Sequence, residues 1–427
     1  MKKFLAIILA VMLCVSLLAA CPKQDNESSE EVSQAPAAVE LRTVGMFGST
    51  DPSAGAYQEQ IRLFERENKN VTVNDESATA DDAWKAAVVG DCNAGNEPDV
   101  LFYFSGAIAD DIRNKFVTIE EIREEYPDYA SNIKDSVWKY MEEADGKTYC
   151  VPIRGYWEGM FVNEDVFQAN NVAIPTDWAG LEKAVDDFAK TDITPVAVAL
   201  GHVPHYWIEH VILAYGGTDA IYAAQTIGTD VSKIPQAWYD GFTAFKTLGE
   251  KKAFPANTAA MQDADAGALF QSKGAAMQVD GSWYCGSITQ PDTTTVICFP
   301  SAEKKTPDSI IAGFSSGFYI SKKAWEDETK RDAAVKFVEA VTSDDAIAAY
   351  CKIAGSAAAD VKIESDGMAR PVADGNAMAA KAVNAAPATD TWLAGPCLDI
   401  IRKGANDIAA GKADAKTVLE EGIAANK

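Results

Sequence analysis

The stretch "LRTVGMFGSTDPSAGAYQEQIRLFERENKNVTV" (residues 41–73) places two short apolar runs on either side of an amphipathic segment. Tyr57, Ile61 and Phe64 recur at helical spacing, so the segment from Tyr57 to Asn68 reads as a helix with one apolar face. The runs "LRTVGMF" and "VTV" read as strands flanking it. The same alternation continues along the chain. "PDVLFYF" (98–104), "TPVAVAL" (194–200), "AAMQVDG" (275–281), "TVICFP" (295–300) and "GFYIS" (317–321) are further strand candidates. Between them "WAGLEKAVDDFAK" (178–190), "AWYDGFTAFKTLG" (237–249) and "RDAAVKFVEAVTS" (331–343) look helical. Strands separated by helices predict an α/β fold with parallel sheets. No repeat of fixed period is visible.

Residues 1–20 have another character. Lys2 and Lys3 precede an apolar run from Phe4 to Leu18, and Leu18, Ala19 and Ala20 stand directly before Cys21. That is the layout of a secretory signal, and the run is short for a membrane span. Its Leu-Ala-Ala-Cys ending resembles the bacterial lipoprotein signal, which implies a lipid on Cys21. Two or more acyl chains hold a protein on a bilayer stably, whereas one gives only marginal binding. Residues 21–40 lack apolar periodicity, are rich in Ser, Glu, Gln, Ala and Pro, and read as a flexible tether.

Without residues 1–20 the chain carries 36 basic and 63 acidic residues, a net charge of −27. Such a surface repels nucleic acid and anionic lipid, so contact with the membrane is expected only through the anchor. Residues 41–427 are enough for two domains or one two-lobed body. Besides Cys14 and Cys21 there are six cysteines, at 92, 150, 285, 298, 351 and 397. They permit three disulfides in any of 15 pairings, or buried free thiols. No CxxC or other metal spacing appears.

Five segments in order, "FERENKNVTV" (64–73), "GNEPDVLF" (95–102), "YCVPIRGYWEGMFVNEDVF" (149–167), "LFQSKGAAMQVDGSWY" (269–284) and "AAVKFVEAVTSDDAIAAY" (333–350), carry a family resemblance. Their succession resembles the extracellular solute-binding proteins of ABC importers, in particular the sugar-binding branch related to maltose-binding protein. The resemblance implies a two-lobed, type II periplasmic-binding-protein-like fold with a ligand cleft between the lobes. It also implies a carbohydrate ligand, permease subunits as partners, no cofactor, no catalysis and a monomer. Lobe one is expected from residues 41–150 plus about 301–343, and lobe two from about 155–297 plus 344–427. Chain crossings are expected near Cys150 to Gly155, Cys298 to Ser301 and Ser343.

A pyranose offers apolar C–H faces to aromatic rings and a rim of hydroxyls to fixed donors and acceptors. "VDGSWYCG" supplies Asp280, Trp283 and Tyr284 just after a strand, in the pattern of the family's binding loop. "RGYWEG" supplies Arg154, Tyr156, Trp157 and Glu158, with hinge packing and an ion pair as the alternative. "GHVPHYWIEH" supplies His205, Tyr206 and Trp207 where the family carries an aromatic loop, and Trp392 resembles a further stacking position. From lobe one, Asp51 is the polar candidate, with Ser49, Thr50, Tyr103, Ser105, Ser315 and Ser316 as turn or cap residues otherwise.

Three other readings compete. All histidines, His202, His205 and His210, lie together beside Glu209, which raises a metal-binding receptor, although H-x2-H-x4-H matches no zinc motif. Glu158 and Asp280 would make a glycoside hydrolase only if folding set them at the required separation. A lipoprotein that presents its ligand to a membrane sensor would use the same cleft.

Overall fold

A computed structural model describes residues 37–48, 51–143, 145–201, 205–302, 309–364 and 366–427, apart from the side chains of residues 107, 108 and 205. The expectations for residues 1–36, including Cys21, and for Ser49, Thr50 and His202 lie outside the described residues. The strands are β1 (Val39–Val44), β2 (Val71–Asp75), β3 (Val100–Phe104), β4 (Arg154–Asn163), β5 (Thr194–Ala197), β6 (Ala275–Gly281), β7 (Thr294–Ile297), β8 (Ser309–Gly313), β9 (Ser316–Ile320), β10 (Ser356–Ala357) and β11 (Asn384–Ala386).

The opening stretch folds as read. The helix Ala54–Glu67 buries Tyr57, Ile61 and Phe64, and it ends where Asn68 returns both its backbone N–H and its side-chain amide to the Phe64 carbonyl. β1 and β2 run parallel with Leu41 opposite Val73. The first sheet has the order β2-β1-β3-β9. β9 joins it antiparallel, with Phe102 opposite Phe318, so the sheet is mixed and not wholly parallel. Its core is an aromatic stack in which Phe47 lies 4.2 Å from Tyr57 and 4.7 Å from Phe102.

The second sheet is organised by β4, which pairs antiparallel with β6, β7, β8 and β10. Only β5–β6 and β8–β11 are parallel there. Long returns of the chain replace simple crossovers in both sheets, which is why the expected parallel order is not general. The main core beside this sheet includes Trp207, Trp238, Phe242 and Phe245.

The chain passes between the sheets at three places that lie side by side. A Cβ on Gly155 would stand 2.7 Å from the Gly313 carbonyl oxygen, 2.8 Å from Ser356 Oγ and 2.9 Å from Phe314 Cζ, so only glycine fits where these segments converge. The first crossing falls in the segment expected; the other two do not. Phe299 packs in the second sheet's core, and β8 hydrogen-bonds β4 through the pairs Tyr156–Gly313 and Trp157–Ala312. The second passage therefore comes after Gly313, not near Cys298. Nor does the chain leave the first sheet at Ser343. Helix Asp344–Cys351, assigned to lobe two by sequence, buries Ile347, Tyr350 and Cys351 in the first core, where Tyr350 stacks 6.1 Å from Phe47. Cysteines 92, 150, 285, 298, 351 and 397 are all free thiols.

Candidate functional site

Three rings from three elements form a wall beside the end of β6. Trp283, in the turn after that strand, lies 6.0 Å from Tyr156 of β4 and 5.6 Å from Tyr206 of the helix His205–Tyr222. All three are half-buried. The Trp283 indole lies over Gly281, where a Cβ would approach its ring to 2.2 Å. Asp280 is beside them, accepting hydrogen bonds from the Gly281 N–H (2.8 Å) and the Gln278 amide (2.9 Å). Burial pushes its carboxyl up to about 7.

Behind the wall lies an acidic pocket closed to solvent. Glu158 and Glu209 are 2% and 1% exposed. Burial and the charge of Glu209 hold the Glu158 carboxyl well above the ordinary range, while burial and the charge of Asp390 push Glu209 up to about 8, and a proton is kept between the two. Glu209 accepts from the Thr389 N–H (2.9 Å) and Oγ (3.3 Å). The His210 Nδ1–H donates to the Tyr206 carbonyl at 2.6 Å and lies 3.5 Å from the Glu158 carboxyl. Burial lowers this imidazole to about 4, so it is neutral at physiological pH.

Loops of the first sheet meet the start of β4 and the turn after β6 nearby. Asp51 and Arg154 pair at 3.3 Å, and Arg154 also donates to Ser53 Oγ. A Cβ on Gly286 would lie 1.8 Å from Pro52 Cβ, so the turn bearing Trp283 rests on the loop bearing Asp51. The Thr391 carbonyl approaches Gly106, and the Lys85 ammonium acts on the Asp390 carboxyl. Tyr140 packs 5.8 Å from Phe314, while Trp392 packs 5.4 Å from Tyr222.

The sequence candidates thus divide. Tyr156, Tyr206, Asp280 and Trp283 come together, and Trp392 is half-buried on the neighbouring segment. Trp157 does not join them. It is fully buried, donates its indole N–H to Asn376 (2.9 Å) and packs on Phe161, because successive strand residues face opposite ways. Trp207 is likewise core, 1% exposed among Phe245, Phe254 and Phe299, since about 100° of helix rotation separates it from Tyr206. Tyr284 turns its hydroxyl to the Gly267 carbonyl and its ring edge to Phe161. Glu158 is beneath the wall and not in it. Asp51 and Arg154 are engaged with each other, and Tyr103 is core. Ser105 is half-buried and gives its backbone N–H to the Ser315 carbonyl.

Glu209 and Asp390 were not singled out by sequence as site residues. Glu209 was visible beside the histidines, and Asp390 precedes Trp392 by two residues, but nothing in either stretch tells a buried acid from a surface one. Among the described residues no group of His, Cys, Asp and Glu is placed to hold a metal ion, and no helix is long and apolar enough to cross a membrane.

No curated protein matches the chain by sequence. Solved structures share its fold. A protein from work on xylan utilization by the thermophilic bacterium Caldanaerobius polysaccharolyticus aligns with a TM-score of 0.76 at 20% identity, covering 90% of this chain and 98% of that one. A chitin oligosaccharide binding protein aligns with a TM-score of 0.76 at 19% identity, covering 90% and 97%. A solute-binding protein in complex with raffinose aligns with a TM-score of 0.70 at 18% identity, covering 90% and 98%. These likenesses establish the two-lobed α/β architecture of solute-binding proteins. The model of the bacterial extracellular solute-binding protein family matches residues 59–380, and the chain belongs to that family.

Proposed function

We propose that this solute-binding protein captures a carbohydrate outside the cell and delivers it to the permease of an ABC importer. The observation that carries this reading is the wall of Tyr156, Trp283 and Tyr206 beside Asp280. Flat rings suit the C–H face of a sugar, and the aspartate supplies an acceptor or, when protonated, a donor for its hydroxyls. The proteins of similar fold named for chitin oligosaccharide and raffinose support the same class of ligand. Lobes that close on the ligand would signal its presence to the permease through shape.

Hydrolysis has no support in the site. The pair considered from sequence, Glu158 and Asp280, is split: Glu158 is 2% exposed and sealed beneath the wall, away from any glycosidic oxygen, while Asp280 stands half-buried beside the rings. We further propose residues 1–20 as a lipoprotein signal, Cys21 as the lipid-bearing residue, a tether that ends before residue 39 and not at 40, because Val39 and Glu40 pair with β2 in β1, and a monomeric receptor in two lobes.

A thermal-shift screen with galactose, raffinose, xylo-oligosaccharides and chitin oligosaccharides tests the ligand class. A true ligand at 100 times its Kd adds about 2.7 kcal/mol of stability. Stabilisation by a non-carbohydrate solute alone would remove the reading. Palmitate should label the normal protein and not Cys21→Ser, because serine lacks the accepting thiol.

A further inference from the structure

The segment 388–392 is held from beneath by two hydrogen bonds and carries two residues of the cleft, Asp390 and Trp392. The Ala388 N–H donates to Tyr156 Oη at 2.8 Å, and the Thr389 N–H donates to Glu209 at 2.9 Å. The first anchor is a ring of the wall. The second is a carboxyl only 1% exposed, reached by Thr389 Oγ as well. Among the described residues its other oxygen has no donor except what Glu158 can bring, and one Glu158 oxygen likewise has none except what Glu209 can bring. Two carboxyls in hydrogen-bonding reach of each other, with no Lys or Arg paired to either among the described residues, need a proton between them.

We propose that Glu209 is a positioning residue: sharing one proton with Glu158, it clamps residues 388–392 to β4 and to the helix His205–Tyr222 and thereby sets the wall. This rests on the reading above that the wall receives the ligand. Once the shared proton leaves, two buried negative charges face each other and the Thr389 anchor is the contact that can open to admit water.

Among the described side chains the surrounding groups supply no replacement for that proton. From β4 come only Glu158 and the neutral Tyr156, and from the helix come Tyr206 and the neutral His210. Asp390 adds negative charge, and the cations near it, Arg402 at 3.8 Å and Lys85, face Asp390. Asp280, from β6, adds a further acid that acts on Glu158.

Hydrogen exchange of the peptide spanning residues 386–393 tests the clamp in the mature chain, residues 21–427, with no ligand present. After correction for intrinsic exchange, opening that releases one proton should lose up to about tenfold protection per pH unit between pH 5 and 8. In Glu209→Gln the amide oxygen accepts from Thr389 and the amide N–H donates to Glu158, so protection should persist across that interval. Glu209→Ala should lack protection in this peptide at every pH while β6 stays protected. If that variant does not fold, wild type against Glu209→Gln decides alone. Protection independent of pH in the wild type, or the same pH slope in Glu209→Gln, would overturn the proposal. Since no sugar is used, that result would leave the carbohydrate reading standing.

Discussion

Phe47, Tyr57, Phe102 and Phe318 stack at 4.2 to 6.2 Å inside the first sheet's core, and none is more than 3% exposed. Trp283, Tyr156 and Tyr206 sit at similar spacings, yet all three are half-buried and lie over carboxyls. Ring-to-ring distance therefore does not tell a core from a binding wall. What separates them is where the backbone stops. The first cluster is enclosed by strands β1, β3 and β9 and by the helices Ala54–Glu67 and Asp344–Cys351. The second stands on the end of β6, the start of β4 and the first turn of a helix, and its rings keep part of their surface exposed.

That contrast makes opposite demands on substitutions. Phe318→Ala removes a ring that touches both Phe47 and Phe102 and should cost about 3–5 kcal/mol of stability, with ligand affinity unchanged in the protein that remains folded. Chemical denaturation together with calorimetric titration reads both quantities. A loss of affinity without loss of stability would erase the distinction between the two clusters.

A smaller effect sharpens it through pH, because only the wall has titrating carboxyls beneath it. The Glu158–Glu209 pair, with its shared proton, and Asp280 hold protons above the ordinary carboxylate range when folded, so the unfolded chain releases them first as pH rises. Each therefore lowers stability by about 1.4 kcal/mol per pH unit between its unfolded and folded values. His210 has the opposite sign: its lowered value costs stability as pH falls from 6.5 towards 4, and above 6.5 it contributes no slope. Denaturant melts from pH 6.5 to 8 should thus show declining stability, with a shallower slope in Glu158→Gln. Rising stability over that interval, with the variant parallel to wild type, would contradict the assignment.

Much of the scaffold is legible in the sequence. The apolar runs at 41–47, 71–73, 98–104, 275–281 and 317–321 all became strands, since β-branched and aromatic runs bounded by turns have few other uses. β4 escaped because Arg154, Gly155, Glu158 and Gly159 interrupt its apolar pattern. Both glycines answer to tertiary contacts: a Cβ on Gly159 would stand 2.9 Å from the Ile297 carbonyl, as one on Gly155 would meet the other crossings. The site was legible to the level of the Tyr-Trp pairs. Which partner joins the half-buried wall is fixed by the strand's alternation at Tyr156–Trp157 and by helix rotation at Tyr206–Trp207, and each depends on a register that a lone dipeptide does not carry. Glu209 was hidden for the same reason in a chain with 63 acidic residues.

The measurement that bears most directly on the wall is calorimetric titration of Trp283→Ala with the sugar found by thermal shift, paired with a melting curve. Removing the stacking face should weaken binding by about 1.5–3 kcal/mol, or roughly 10- to 150-fold, with a smaller loss of stability. Unchanged affinity alongside a loss of about 3–5 kcal/mol in stability would make Trp283 a core residue like Phe318 and contradict the account.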